Sequence, residues 1–257
     1  MSLYDSGVRQ IVDDYLIEKS KEVRDYGDYW SASSAGYCMR KVIFDRMRVT
    51  QVKEDPRKQR VFTVGHIFHS WFQELTHEAG VSVSQEGELI NDKIMVKGHY
   101  DDIIKTDNGL ILYDYKTQNS RAFSYKRPEM SRFHKMQLGT YLYMLRNMLE
   151  WDAGLQVHAD DISQLAEARI LKISKDDLRM NEEVLMYTPD LEKEVFEYWS
   201  TLNGYWKNKK LPACTCADYE GGFMAKEAYN PYFYNGEPCS LEWYKKWKLN
   251  KENDNDN

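Results

Sequence analysis

The chain has 257 residues, 42% of them hydrophobic and 30% charged, which suits an ordinary soluble globular protein with one sizeable core. A net charge of −6 does not suggest a protein that coats nucleic acid by bulk electrostatics. It does not exclude an enzyme acting on nucleic acid, because metal-holding carboxylates add negative charge and a local basic groove can coexist with an acidic total.

Residues 4 to 24 are charged with spaced Val, Ile, Tyr and Leu, a pattern that predicts an amphipathic helix. "WSASSAGYCMRKVIFDRMRV" offers serines as caps and predicts a helix from about Ala35 to Met47. Residues 50 to 58 read as a polar loop. Val61, Val64, Phe68, Trp71, Phe72 and Leu75 then recur at helical spacing up to Gly80. "VSVSQEGELI", "KIMVKGHYDDIIKT" and "GLILYDYKT" predict strands, and Asp107-Asn108-Gly109 predicts a hairpin between the last two. "SRFHKMQLGTYLYMLRNML" is helical, "EARILKIS" a strand, and "DLEKEVFEYWSTLNGYWKNKK" a helix. The polar end "KENDNDN" predicts disorder. No apolar run is long enough to span a bilayer, and the first residues lack the basic-then-apolar order of a signal peptide. The expected location is cytoplasmic, with no membrane association.

In "LILYDYKT" an aliphatic run leads into Asp114 and Lys116, which share a face of an extended chain. They are either an ion pair of structural use or half of an active site. Across the hairpin, "GHYDD" brings Asp101 toward Asp114, while strand alternation sends Asp102 to the opposite face. Two carboxylates in one place repel unless a cation lies between them, and Mg²⁺ is the natural candidate. The plain alternative is four exposed hairpin residues. His69 at the edge of an apolar helix face is, by itself, more often a packed residue than a ligand. Gln137 and Tyr141, one turn apart on the next helix, carry no signal alone.

In order along the chain these elements read G-x-x-x-H (Gly65 to His69), G-x-x-D (Gly98 to Asp101), D-x-K (Asp114 to Lys116) and Q-x-x-x-Y (Gln137 to Tyr141). The series resembles the RecB-like branch of the PD-(D/E)XK nuclease superfamily over roughly residues 31 to 175. The resemblance implies an α/β fold with a restriction-endonuclease-like core, a mixed central sheet flanked by helices. A helical N-terminal part and an irregular cysteine-containing C-terminal segment would flank that core. A single nuclease domain over residues 1–250 is expected, divided as 1–60, 61–175 and 176–250, followed by a tail at 251–257. The resemblance further implies that His69, Asp101, Asp114 and the backbone carbonyl of Tyr115 hold catalytic Mg²⁺ or Mn²⁺. Lys116 would activate water, and Gln137 and Tyr141 would help place DNA or the lysine.

Four cysteines suit buried thiols or metal ligands better than disulfides in a cytosolic chain. Their layout, Cys38 ahead of the motifs and Cys214, Cys216 and Cys239 behind them, resembles the iron–sulfur subgroup of AddB-type and CRISPR adaptation nucleases. "SASSAGYCMRK", with Cys38 and Arg40, resembles that subgroup's first-cysteine region. The C-x-C pair and the long gap to Cys239 depart from its spacing. A [4Fe–4S] cluster is expected, with structural Zn²⁺ as the alternative. The reaction implied is hydrolysis of DNA, expected at single-stranded ends with 5′→3′ direction. The setting would be recombination or repair, phage DNA processing or CRISPR adaptation. Arg121, Lys126, Arg127, Arg132 and Lys135, with Arg40, are candidate DNA contacts or simply a solvated helix entrance. With no Walker A sequence, a helicase partner would be a separate chain. The rival reading is a non-catalytic DNA-binding or assembly subunit with a nuclease-like fold and a zinc site.

Overall fold

A computed structural model describes residues 7–20, 26–49, 55–125, 129–147, 162–218, 226, 230–246 and 248. The expected disordered tail at 251–257 lies outside the described residues, as do the ends of the first expected helix. Among the described residues the helices with defined bounds are α1 (Val8–Ser20), α2 (Met39–Met47), α3 (Pro56–Glu78), α4 (Ser120–Ser124), α5 (Arg132–Arg146) and α6 (Pro189–Lys207). Among the described residues the strands are β1 (Trp30–Ser31), β2 (Ser82–Gln85), β3 (Glu88–Asn91), β4 (Val96–His99), β5 (Asp102–Thr106), β6 (Gly109–Gln118), β7 (Glu167–Ser174) and β8 (Met180–Met186). Among the described residues, no helix is long and apolar enough to cross a membrane.

The strands form a mixed five-stranded sheet in the order β2-β5-β6-β7-β8 and a three-stranded sheet in the order β1-β4-β3. Within the larger sheet β6 is the centre, antiparallel to β5 and parallel to β7. The expected turn joins β5 to β6, with Thr106 opposite Gly109. Ile111 and Leu112 are buried because helices or strands cover both faces of this strand. The main core gathers α5, α6 and the first residues of β6 and β7 around Leu112, Leu142, Ile170 and Trp199. Trp199 also donates its indole N–H to the Thr140 hydroxyl at 3.0 Å, which satisfies the one polar group it buries.

Two stretches expected as continuous strands are each broken in the middle. β2 and β3 are separated at Glu86-Gly87, and β4 and β5 at Tyr100-Asp101, so one bent hairpin serves both sheets. Glu86 adopts a positive φ of 50°, and a Cβ on Gly87 would lie 2.1 Å from the Tyr100 hydroxyl. The tyrosine ring therefore occupies the space that a side chain at position 87 would need, and the bend follows. This bend frees Asp101 from the ladder.

Other departures have local causes. The helix α3 begins at Pro56, within the expected loop, because Asp55 caps it by accepting from the Arg57 N–H and Pro56 fits the first turn. The serines before α2 do not cap it; Cys38 occupies that position without a side-chain bond. The apolar residues expected to bury α3 are largely outside: Val61, Val64, Trp71 and Leu75 are exposed. Its inward side consists of the half-buried Phe68, His69, Phe72, Gln73 and Thr76. The strand β8 was not expected from the sequence, since its residues (MNEEVLM) are mostly exposed and it closes the sheet as an edge. Truncating the central strand's fully buried Leu112 to Ala is expected to lower stability by about 2–5 kcal/mol, read as a lower urea midpoint at unchanged slope.

Candidate active site

On β6, the alternation of the strand puts Asp114 and Lys116 on one face, and the Lys116 ammonium lies 2.6 Å from Asp114 Oδ2. Asp114 is 2% exposed. Its other oxygen accepts from Gln137 Nε2 on α5 at 3.2 Å, and Gln137 also reaches the Tyr141 hydroxyl at 3.4 Å. Tyr141 is itself buried, so it supports Gln137 from within the core rather than facing solvent. Gly98 belongs to this arrangement: a Cβ there would stand 2.6 Å from Ala32 Cβ and 3.0 Å from the Tyr141 ring.

Asp101, released by the bend between β4 and β5, accepts the backbone N–H of Tyr115 at 2.7 Å. His69 Nδ1 on α3 lies 3.5 Å from the same Asp101 oxygen. The structure thus gathers His69, Asp101, Asp114, Lys116, Gln137 and Tyr141 at the meeting of α3, the bent hairpin, β6 and α5. The N–H and hydroxyl of Tyr115 are committed to Asp101 and Asp102, while its backbone pairs with Leu171 in the β6/β7 ladder.

Electrostatics follow from that crowding. Burial and then the Asp114 charge push Asp101 up to about 8. Burial alone would lower Lys116, yet the attraction of Asp114 and Asp101 outweighs it and holds the ammonium above its usual value. Burial, reinforced by Lys116, lowers His69, so its imidazole is neutral and keeps a lone pair available. Two carboxylates of which one is driven toward protonation, beside a neutral imidazole, form a donor set that a hard divalent cation would relieve. The residues fit such an ion, although Lys116 occupies one Asp114 oxygen.

Asp102 lies away from Asp101, separated from it by the bend at Tyr100-Asp101 rather than by alternation along one strand, and the sequence reading left it without a role. It is fully buried and accepts from Thr76 at 2.6 Å, Ser82 at 2.6 Å, the Tyr115 hydroxyl at 2.9 Å and Gln85 at 3.3 Å. Gln73, one turn beyond His69, donates to the Asp101 carbonyl at 3.1 Å and to Glu86 at 2.8 Å. Together these bonds fasten α3 to the bent hairpin. A donor-rich stripe on α3, Gln73 and Thr76 amid aromatic residues, was the sequence signal available for it.

The four cysteines form the second cluster. All four sulfurs lie within 4.8 Å of one another, and among the described residues no other set of three or more His, Cys, Asp or Glu is so close. Cys216 and Cys239 are 3.5 Å apart, Thr215 N–H donates to Cys38 at 3.4 Å, and Asn230 Nδ2 donates to Cys216 at 3.4 Å and Cys239 at 3.5 Å. Hydrogen bonding by Cys214 lowers Cys38 and raises Cys216, as expected where several thiols share one charge. Phe44, Tyr232 and Val49 bury the cluster in a small core that joins α2 to the C-terminal segment.

The expected DNA contacts are scattered. Arg40 points to the cysteine segment, donating to the Pro212 carbonyl at 2.7 Å and the Cys239 carbonyl at 3.3 Å. Lys135 pairs with Glu194 on α6 at 2.7 Å. Arg121 and Arg132 are exposed, and Lys126 and Arg127 lie outside the described residues.

A family model described as the PD-(D/E)XK nuclease superfamily matches residues 66–213, more than half of the chain and including every residue of the acidic cluster. Among solved structures, the crystal structure of SSO0001 is similar with a TM-score of 0.50 at 16% identity, over 82% of this chain and 90% of that one. LHK-Exo in complex with dAMP gives 0.45 at 13% identity over 72% and 90%. The alkaline exonuclease LHK-Exo from Laribacter hongkongensis gives 0.41 at 12% identity over 71% and 89%. No curated protein matches the sequence. At these identities the first likeness concerns the fold alone, and the two looser ones carry no argument about activity.

The crowding has a measurable consequence in metal-free protein. A carboxyl raised to about 8 favours its protonated form in the fold, so stability present at low pH is lost as pH rises through that value. Between about pH 6.5 and about pH 8, where His69 is already neutral, the urea midpoint of chelator-treated protein is expected to fall. Asp101→Asn should flatten that slope; an equal slope in the variant would refute the assignment.

Proposed function

The chain belongs to the PD-(D/E)XK nuclease superfamily, and on that premise we propose that it is a divalent-metal-dependent deoxyribonuclease, an exonuclease acting on single-stranded DNA ends. The observation that carries the reading is the convergence of His69, Asp101, Asp114 and Lys116 on one buried strand end, with Gln137 and Tyr141 braced behind them. Family membership and fold support a nuclease; substrate strandedness and direction belong to the proposal. Water would add to the phosphorus of a phosphodiester and a P–O bond would break, leaving a phosphate monoester and a hydroxyl end.

His69, Asp101 and Asp114 would hold Mg²⁺ or Mn²⁺, with the Tyr115 carbonyl as a further donor. When bound, the ion would supply Lewis-acid polarisation of the phosphate and a more acidic water. The protein's own residues do the rest. Gln137 fixes one Asp114 oxygen, and the Tyr115 N–H fixes one Asp101 oxygen, so both carboxylates keep their orientation without solvent. Lys116 stays protonated beside them and so orients water and stabilises negative charge on the phosphate oxygens. It could accept a proton only after the two carboxylate charges have been neutralised.

The cysteines would form a separate metal centre that ties the C-terminal segment to α2. The layout favours the [4Fe–4S] cluster, whereas sulfurs all within 4.8 Å favour one tetrahedral zinc ion, since a four-iron cluster must hold its thiolates farther apart. Metal analysis of anaerobically purified protein separates the two: iron with sulfide and a brown colour, or about one zinc per chain without colour. Cys239→Ser is expected to lose that metal and to lower the thermal midpoint.

End-labelled single-stranded DNA should be degraded with Mg²⁺ or Mn²⁺ and left intact with chelator. Lys116→Ala and Asp114→Asn should each lower kcat by at least about a hundredfold, measured at a temperature where circular dichroism shows each variant folded. Wild-type protein that binds DNA without cleaving it under either metal would instead establish the non-catalytic reading.

A further inference from the structure

A cavity of about 790 Å³ opens beside the acidic cluster, lined among others by Gln118, Phe123, Tyr125, Met130, Lys172 and Arg179. Its position follows from the sheet. Gln118 is the next residue after Lys116 on the same face of β6, and Lys172 on β7 is the register partner of Lys116. Adjacent strands lie about 4.8 Å apart, so the cavity begins one side chain away from the lysine. The size falls within the range of about 300–1,000 Å³ typical of ligand sites.

Its chemistry is unlike that of a phosphate groove. Among the described residues, the charged ones that line it balance, Lys172 and Arg179 against Glu129 and Glu183. Lys172 is moreover paired with Glu183, and Arg179 with Asp177 at 2.9 Å. The Arg179 guanidinium lies over the Phe123 ring at 5.2 Å from its centroid, which occupies one face of that ring. Tyr125 remains 72% exposed at the cavity wall. A site whose described charges balance, and which offers an exposed aromatic ring and two methionines, would gain less from a backbone phosphate than from the face of a base. Bases in a duplex have their faces stacked on one another; only unpaired bases can present them.

We propose that this cavity receives unpaired bases of the substrate strand next to the scissile phosphate, with Tyr125 as the stacking platform. The proposal rests on the deoxyribonuclease reading for its substrate, and it adds the place and means by which single strands are distinguished from duplex. Among the described residues no hydrogen bond or ring contact joins Tyr125 to the acidic cluster, so it would act on binding and not on the hydrolytic step.

The test uses the full-length protein and a single-stranded oligonucleotide carrying 2-aminopurine, titrated without divalent metal, beside a duplex of the same sequence. Binding should quench the fluorophore in the wild type. Tyr125→Ala should weaken single-strand binding about tenfold and abolish the quenching, Tyr125→Phe should retain both, and duplex binding should be unchanged. The salt dependence of binding should not differ between wild type and Tyr125→Ala. With Mg²⁺ or Mn²⁺, Tyr125→Ala should raise KM for the oligonucleotide about tenfold and leave hydrolysis of thymidine 5′-(p-nitrophenyl phosphate) unaffected. Equal single-strand affinity and quenching in wild type and Tyr125→Ala would overturn the proposal, as would equal losses for single strand and duplex. A wild type inert toward both substrates would refute the deoxyribonuclease reading, while the metal-free titration would still decide the fate of the cavity.

Discussion

A buried carboxylate survives only where enough donors replace its lost water, and Asp102 has four. Those donors come from α3, β2 and β6, so the charge acts as a fastener among elements that sequence separates. Without it, α3 would face the sheet through few apolar contacts, because its aliphatic residues point largely outward. The polar seam fixes the height of α3 along β6, and that height sets His69 opposite Asp101. Removing one partner from such a seam strands the others unpaired, which costs more than the bond itself contributes.

The neighbouring carboxylates obey the opposite logic. Asp102 is satisfied by neutral donors, whereas Asp101 and Asp114 repel one another around a lysine. Adjacent residues on one bent strand thus have different tasks: one charge is content to stay buried, and the other is poised to gain a cation. The bend at Tyr100-Asp101 makes the distinction, since it takes Asp101 out of the ladder just where Asp102 enters it.

The cysteine cluster imposes a second long-range constraint. Cys38 precedes the sheet and Cys239 lies near the other end of the chain, yet both sit in one small core with Phe44 and Tyr232. Arg40 reinforces the closure by donating to two carbonyls of the C-terminal segment. The arginine that sequence had placed among DNA contacts is thereby accounted for by a structural partner, and Lys135 likewise by Glu194.

The order of motifs was legible in the sequence because each rests on a short-range rule. Strand alternation puts Asp114 with Lys116; a helical turn joins Gln137 to Tyr141; a two-residue turn sets the hairpin. Periodicity also determined that α3 is a helix and β6 a buried strand. What it could not determine was which side of α3 faces inward, since its aliphatics lost that position to Thr76, which serves a carboxylate twenty-six residues away, and to Gln73, which donates to the Asp101 carbonyl and Glu86. Nor could it find the hairpin bend, which depends on the Tyr100 ring meeting Gly87, or β8, whose exposed residues lack an apolar pattern. The cavity beside Lys116 is likewise a matter of register between β6 and β7. Local spacing therefore determined which residues could converge in one cluster, and only packing between distant segments decided how they are held, because burial and hydrogen-bond satisfaction are properties of the assembled neighbourhood and not of the chain read in order.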